Sequence, residues 1–354
     1  MPLTLPPEEH RALHETNEAP GPILDLLGGA ALRVAGAASK LGVFEALAEG
    51  PRTAAAVAER AGTHPRGTAL LLNALRVYGY VQASGENGSE AWTLTPVAER
   101  WMLRGKPGSF ADTLEFWDSL LYGLWGELEK SVTTGAPPVD WYRWLEQNPK
   151  TLRTFQSMLG GIARHSAPEV VKAVELPAGA KRLVDVGGSH ALFALEFLKA
   201  HEGLKAAVLD FPGALEIGRE NAREAGMEDR VDFVACDFLN DDLGGGYDVA
   251  LLASIVHGLS PEENVVLLKR LRAAMNPGGI VVVVEQTEGG SQPKAGVSEA
   301  FLRTFSLNMY HLQGAQTYAY EEIAAMLEEA GFTGPRMSEV RQSIDRVVQA
   351  TNPG

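Results

Sequence analysis

The sequence predicts an α/β protein, a doubly wound, mostly parallel Rossmann-like sheet preceded by a mainly helical winged-helix domain. Three observations carry this. After Ala178, short apolar runs alternate with helical segments; glycine- or aspartate-bearing loops follow the runs; and two short helices with a hairpin come before them.

Taken in order, residues 1–20 are rich in Pro and Glu and read as a flexible start. The run ILDLLGGAALRVAGAASKLGVFEAL, between Pro22 and Leu47, has helical spacing but is apolar nearly all round. Such a helix is buried, here against a partner subunit. Thr53 caps a short helix that Gly62 stops. A second helix shows Leu70, Leu71, Ala74, Leu75 and Tyr78 on one face, and YVQA and AWTL form a hairpin around SGENGS. These elements make residues 21–105 a winged helix. Its second helix offers only Arg66 and Arg76 as cations, too few for reading base edges, so subunit association into a homodimer is the better reading.

Residues 106–176 are helical and rich in aromatics, including Phe116, Trp117, Tyr122, Trp125, Trp141, Tyr142 and Trp144. They are either core or the walls of an apolar pocket. From residue 177 to 354 the strands RLVDV, AAVLD, VDFVACDF, YDVALLAS and GIVVVVE alternate with helices, as right-handed βαβ units do. A helix, EEIAAMLEEAG, and strands near RMSEV and DRVVQA close the chain as an antiparallel edge hairpin.

Composition narrows the function. The 354 residues carry 31 Lys+Arg against 45 Asp+Glu, a net charge of −14, which lacks the basic footprint of a nucleic-acid binder. A single cysteine, Cys236, excludes an internal disulfide and a cysteine-based zinc site. No apolar run approaches the roughly 18 residues of a spanning helix, and no signal peptide is read at the start, so the chain is expected to be cytoplasmic, without membrane or metal.

In open α/β sheets ligands sit at the carboxyl ends of the strands. Asp185, Gly187 and Gly188 end the first strand, but Ser189 and Leu192 stand where a dinucleotide fingerprint needs glycine, so NAD is disfavoured. A ligand with adenosine and no phosphate is expected. Asp210 suits the two hydroxyls of a ribose; Asp237 and Phe238 offer an acceptor for an exocyclic amine and a face for a purine. His257, after the fourth strand, can take the proton of a hydroxyl acceptor as a group is transferred to it.

As a set, LVDVGGSHA, VLDFP, ACDF, LLASIVHGLSPEEN and VVVVEQ resemble the small-molecule O-methyltransferases of bacteria and plants, over about residues 20–350. The resemblance implies a class I methyltransferase domain using S-adenosyl-L-methionine, with S-adenosyl-L-homocysteine (SAH) as product, behind a dimerisation domain. It implies Asp185, Gly187 and Gly188 at the methionine end, Asp210 at the ribose and Asp237 with Phe238 at the adenine, with Phe211 and Ser254 also at the cofactor. It implies His257 as general base oriented by Glu285, and Trp117, Phe155, Met158 and Asn308 facing a small-molecule acceptor.

The chain departs from that pattern in four places. Ser189 and Ala191 replace glycines of the cofactor loop; Gly258 and Leu259 replace an Asp-Trp pair; Ala253 replaces a Lys; and a second acid is missing near Ala315. The last three are expected to leave His257 less well oriented. The leading function is methyl transfer to a hydroxyl of an aromatic or polyketide-like natural product. The alternatives are a cofactor-binding fold diverted to hydroxylation, decarboxylation or rearrangement, and a ligand-sensing winged-helix transcription factor, which the sparse cations disfavour.

Overall fold

The computed structural model describes residues 5–85, 90–106, 108–287, 296–341 and 343–354. The chain forms two compact units, Met1–Gly126 with Asn148–Gly161 and Glu127–Gln147 with Ile162–Gly354.

In the first unit, α1 (Pro7–His10) continues as a wider helical turn over Arg11–Glu15, so part of the stretch expected to be loose is helical, although none of it is buried. The single helix expected from Pro22 to Leu47 is two, α2 (Ile23–Lys40) and α3 (Val43–Leu47). Gly42, left-handed at φ 72°, ends the first and redirects the chain. Thr53 Oγ1 accepts the Ala56 N–H at 3.2 Å to start α4 (Ala54–Ala61), which stops at left-handed Gly62. The inward face of α5 (Pro65–Val77) carries Thr68, Leu72 and Leu75, and of the expected row Leu75 and Tyr78 are buried whereas Leu70 is 63% exposed. A row at i, i+4, i+7 shares one helix face, and Leu70 lies off it.

Strands β1 (Val81–Ser84) and β2 (Ala91–Leu94) pair antiparallel with Val81 opposite Leu94; most of the turn read at SGENGS lies outside the described residues. Trp92, Phe44, Leu72 and Leu75 form this unit's core. Helices α6 (Pro96–Trp101) and α7 (Ala111–Gly123) follow. Asp118 on α7 is buried 2.6 Å from both Arg33 and Lys40, so the carboxylate is compensated where an unpaired one would be costly.

The second unit opens with α8 (Leu128–Thr134) and α9 (Trp141–Gln147), and α10 (Pro149–Ala173) runs on from the first unit into it. Strands β3 (Arg182–Val186), β4 (Lys205–Asp210), β5 (Val231–Ala235), β6 (Tyr247–Ala253), β7 (Met275–Glu285), β8 (Thr333–Glu339) and β9 (Arg346–Thr351) form one sheet in the order β5-β4-β3-β6-β7-β9-β8. The first five are parallel, and β9 is antiparallel to both neighbours, as the edge hairpin requires.

Successive strand residues point to opposite faces, and both faces are apolar. Leu183, Val249, Leu251 and Val282 pack with α11 (Leu192–Ala200) and α12 (Leu215–Glu224). Val184, Leu252, Val281 and Val283 pack with α13 (Pro261–Ala274) and, beyond α14 (Val297–Gln313), with α15 (Tyr320–Glu329). Ser260 and Glu263 form a capping box that starts α13 next to the His257 turn. The winding direction reverses between β3 and β6, where doubly wound sheets open a crevice. Among the described residues, no helix is long and apolar enough to cross a membrane, and no His, Cys, Asp and Glu cluster suits a metal ion.

Candidate active site at the carboxyl edge of the sheet

The ends of β3 and β4 lie on one side of the reversal and those of β6 and β7 on the other. Asp185, near the end of β3, is 2% exposed, and its Oδ1 has no hydrogen-bond partner among the described residues. Burial lifts its carboxyl to about 7; the Ala194 N–H opposes the shift and the charge of Asp210 adds to it. A buried, orphaned acceptor of this kind suits a cationic or N–H donor brought by a ligand. The two glycines after it let the turn pack closely against its neighbours. A Cβ on Gly187, which is left-handed at φ 66°, would lie 2.2 Å from Ile255 Cδ1, and one on Gly188 would lie 2.6 Å from Asp185 Cγ.

Asp210 ends β4, where its Oδ2 accepts the Ser189 N–H at 3.0 Å and its Oδ1 accepts the Phe211 N–H at 2.7 Å. Burial raises its carboxyl, and those two N–H groups hold it down. Both oxygens keep spare lone pairs, as a carboxylate binding a diol needs. Phe211 is exposed and its ring lies 6.1 Å from that of Tyr142 on α9. Phe238, half-buried, borders Gly187. Asp237 also bonds within its own turn. Its Oδ1 accepts the Leu239 N–H at 3.0 Å and its Oδ2 accepts from Asn240 at 2.8 Å, so its carboxylate anchors its own loop. Local hydrogen bonding of an Asp to the backbone two residues on is what that residue type favours in turns.

Across the reversal, Ser254 leaves β6 with a left-handed backbone at φ 59°, its N–H donating to the Val284 carbonyl at 2.9 Å. Strain at such a position gathers at functional sites. It turns the chain into the short helical turn Val256–Gly258, where the His257 N–H donates to Glu285 Oε1 at 3.3 Å. His257 Nδ1 lies 2.6 Å from Glu285 Oε2, and Glu285 is buried at the end of β7. An ionised carboxylate only accepts, so Nδ1 carries the hydrogen and Nε2 is left with its lone pair. The Phe305 ring stands edge-on to the imidazole at 5.2 Å and 85°. His257 is therefore held on two sides, by Glu285, the acid that the resemblance gave it, and by Phe305.

Asn308 is buried on α14, one turn beyond Phe305. Trp117, Phe155 and Met158 belong to the first unit, where the rings of Trp117 and Phe155 lie 6.3 and 5.1 Å from Phe116 and Met158 is buried. Sequence reading missed α14 and with it Phe301 and Phe305, whose rings stack at 5.7 Å. Their i, i+4 spacing, continued by Met309, was the available signal.

Comparison with known proteins agrees with this layout. Residues 128–333 match the O-methyltransferase domain family, and residues 24–104 match the O-methyltransferase dimerisation domain. The chain is 31% identical over 306 residues to 3-amino-4-hydroxybenzoate 4-O-methyltransferase of Streptomyces cremeus, covering 83% of this chain and 80% of that one. Among solved structures it resembles the mitomycin 7-O-methyltransferase MmcR, at TM-score 0.85 and 27% identity over 95% of this chain and 98% of that one. It also resembles PigF with SAH, at TM-score 0.82 and 25% identity over 96% and 100% of the two chains.

Proposed function

The chain belongs to the O-methyltransferase family, and from that premise we propose that it methylates a hydroxyl of an aromatic or polyketide-like natural product, with His257 as general base. The observation that carries the base assignment is the His257–Glu285 pair, which fixes the imidazole with Nε2 free to accept. S-Adenosylmethionine, when bound, supplies a methyl group on a sulfonium that leaves with the electron pair of its C–S bond.

The chain's own residues fit that cofactor. Asp185, with its orphaned oxygen, would take the amino group of its methionine end, and Gly187 and Gly188 let the turn beside it pack closely. Asp210 takes the ribose hydroxyls, and Phe238 offers a face to the adenine. His257 Nε2 takes the acceptor's hydroxyl proton as the oxygen gains the methyl. The buried charge of Glu285 stabilises the imidazolium that results. The reading of a fold diverted from methylation rested on the missing second acid near Ala315; the Glu285 partner that holds His257 supports methyl transfer instead.

Incubation with labelled S-adenosylmethionine and a panel of hydroxylated benzoates, naphthoates and anthraquinones is expected to yield labelled methyl ethers. Cofactor binding without transfer to any hydroxyl would overturn the proposal. Asp210→Ala is expected to weaken S-adenosylmethionine binding about ten- to a hundredfold, since hydrogen bonds to a charged group are lost from an enclosed ligand. Calorimetric affinity equal to that of the parent would remove Asp210 from the site.

The dimerisation domain supports a homodimer. Ile23, Leu26, Leu41, Leu70 and Val77 are exposed on the single chain, the kind of apolar surface that a two-fold interface covers. Light scattering at micromolar concentration should give the mass of two chains; the mass of one would refute this assembly.

A further inference from the structure

The loop between β3 and α11 is strained. Among the described residues only Asn17, Ser189, Ala191 and Ser254 carry a left-handed backbone without being glycine, and Ser189 (φ 35°) and Ala191 (φ 60°) both fall in this loop. Residues with a Cβ reach that region against a steric penalty, so surrounding structure must hold them there. The surroundings are specific. Asn221, on α12, donates from Nδ2 to the His190 carbonyl at 2.9 Å. Arg164 Nη2 donates to Asn221 Oδ1 at 3.3 Å, which fixes which way the amide faces.

The His190 ring does a second task. Its Nδ1 accepts the Leu192 N–H at 3.2 Å, serving the first turn of α11 where the Ala191 side chain offers no cap. Burial, with the charge of Arg164, holds this imidazole down to about 4, so Nδ1 remains an acceptor at neutral pH. The shape so held has a consequence for the ligand edge, since it places the Ser189 N–H 3.0 Å from Asp210 Oδ2.

We propose that Asn221 and His190, steadied by Arg164, are positioning residues that clamp the strained 189–191 loop in its cofactor-receiving shape. Hydrogen bonds here do what glycine does by lacking a Cβ. The inference rests on the cofactor reading above.

The test is calorimetric titration with S-adenosylhomocysteine of the parent chain, Asn221→Ala and His190→Ala, each with and without Ser189→Gly plus Ala191→Gly. Each clamp variant is expected to lose about three- to tenfold in affinity, the scale of one hydrogen bond. The glycine pair should recover most of that loss, because it relieves the strain the clamp opposes. Unchanged affinity, or a loss equally large with the glycines present, would overturn the clamp. Should Asn221→Ala fail to fold, His190→Ala decides by the same comparison. A parent chain that does not bind would bring down the cofactor reading itself, whereas a binding parent with unaffected variants brings down the clamp alone.

Discussion

His257→Ala is expected to lower the turnover of methyl transfer by about 10²–10⁴, the usual contribution of a positioned general base. A hydroxyl bonded to its proton is a poor nucleophile, and His257 Nε2 is the acceptor that the Glu285 hydrogen bond leaves available. Cofactor affinity should hardly change, because the assigned cofactor contacts lie on other residues. Glu285→Gln should lower the rate less: the amide keeps an acceptor for Nδ1–H but loses the charge that stabilises the imidazolium. Single-turnover kinetics at saturating cofactor separate these effects from binding. Near-normal methylation by His257→Ala would sink the assignment.

The second large effect is a pH dependence of cofactor binding set by Asp185. In the free protein its carboxyl titrates at about 7 because it is buried. A cationic amino group binds the anion, so binding must expel a proton wherever the carboxyl is neutral. Affinity should therefore fall about tenfold per pH unit below that point. Asp185→Asn should weaken binding at about pH 8 and flatten the slope. The sign for stability runs opposite to that of an ion-paired aspartate. The folded value lies above the ordinary 3.8, so charging the group opposes folding. The cofactor-free protein should lose stability as pH rises from about 4 to about 7, by at most about 4 kcal/mol from this group. Denaturant titrations of Asp185→Asn should lack that loss. Equal slopes in parent and variant, in both experiments, would show that Asp185 does not control either.

Much of this molecule was legible in order along the chain. The apolar runs of β3, β4, β6 and β7, the Thr53 cap, the Gly62 stop and the edge hairpin all depend on residues near one another in sequence. Acids and glycines at strand ends were legible for the same reason, since a βα turn places them at one edge whatever packs around it. Two readings fell short where neighbours decided. Leu70 turned outward while Leu75 and Tyr78 of the same expected face reached the core, and α14 went unread although it carries Phe305.

By itself, then, the sequence determined most of the segments that become strands and helices, that the sheet is mostly parallel, and which residues end its strands. Those choices rest on short-range sterics and on apolar periodicity, which are properties of consecutive residues. The resemblance already implied Glu285, 28 positions away, as the partner of His257; only the tertiary structure supplied the geometry, Nδ1 2.6 Å from Oε2. It alone decided that Asp185 is left with an unpaired oxygen, and that Asn221 and Arg164 hold a loop built without its glycines. Burial and hydrogen-bond geometry are set when distant segments pack together, so no local pattern carries them.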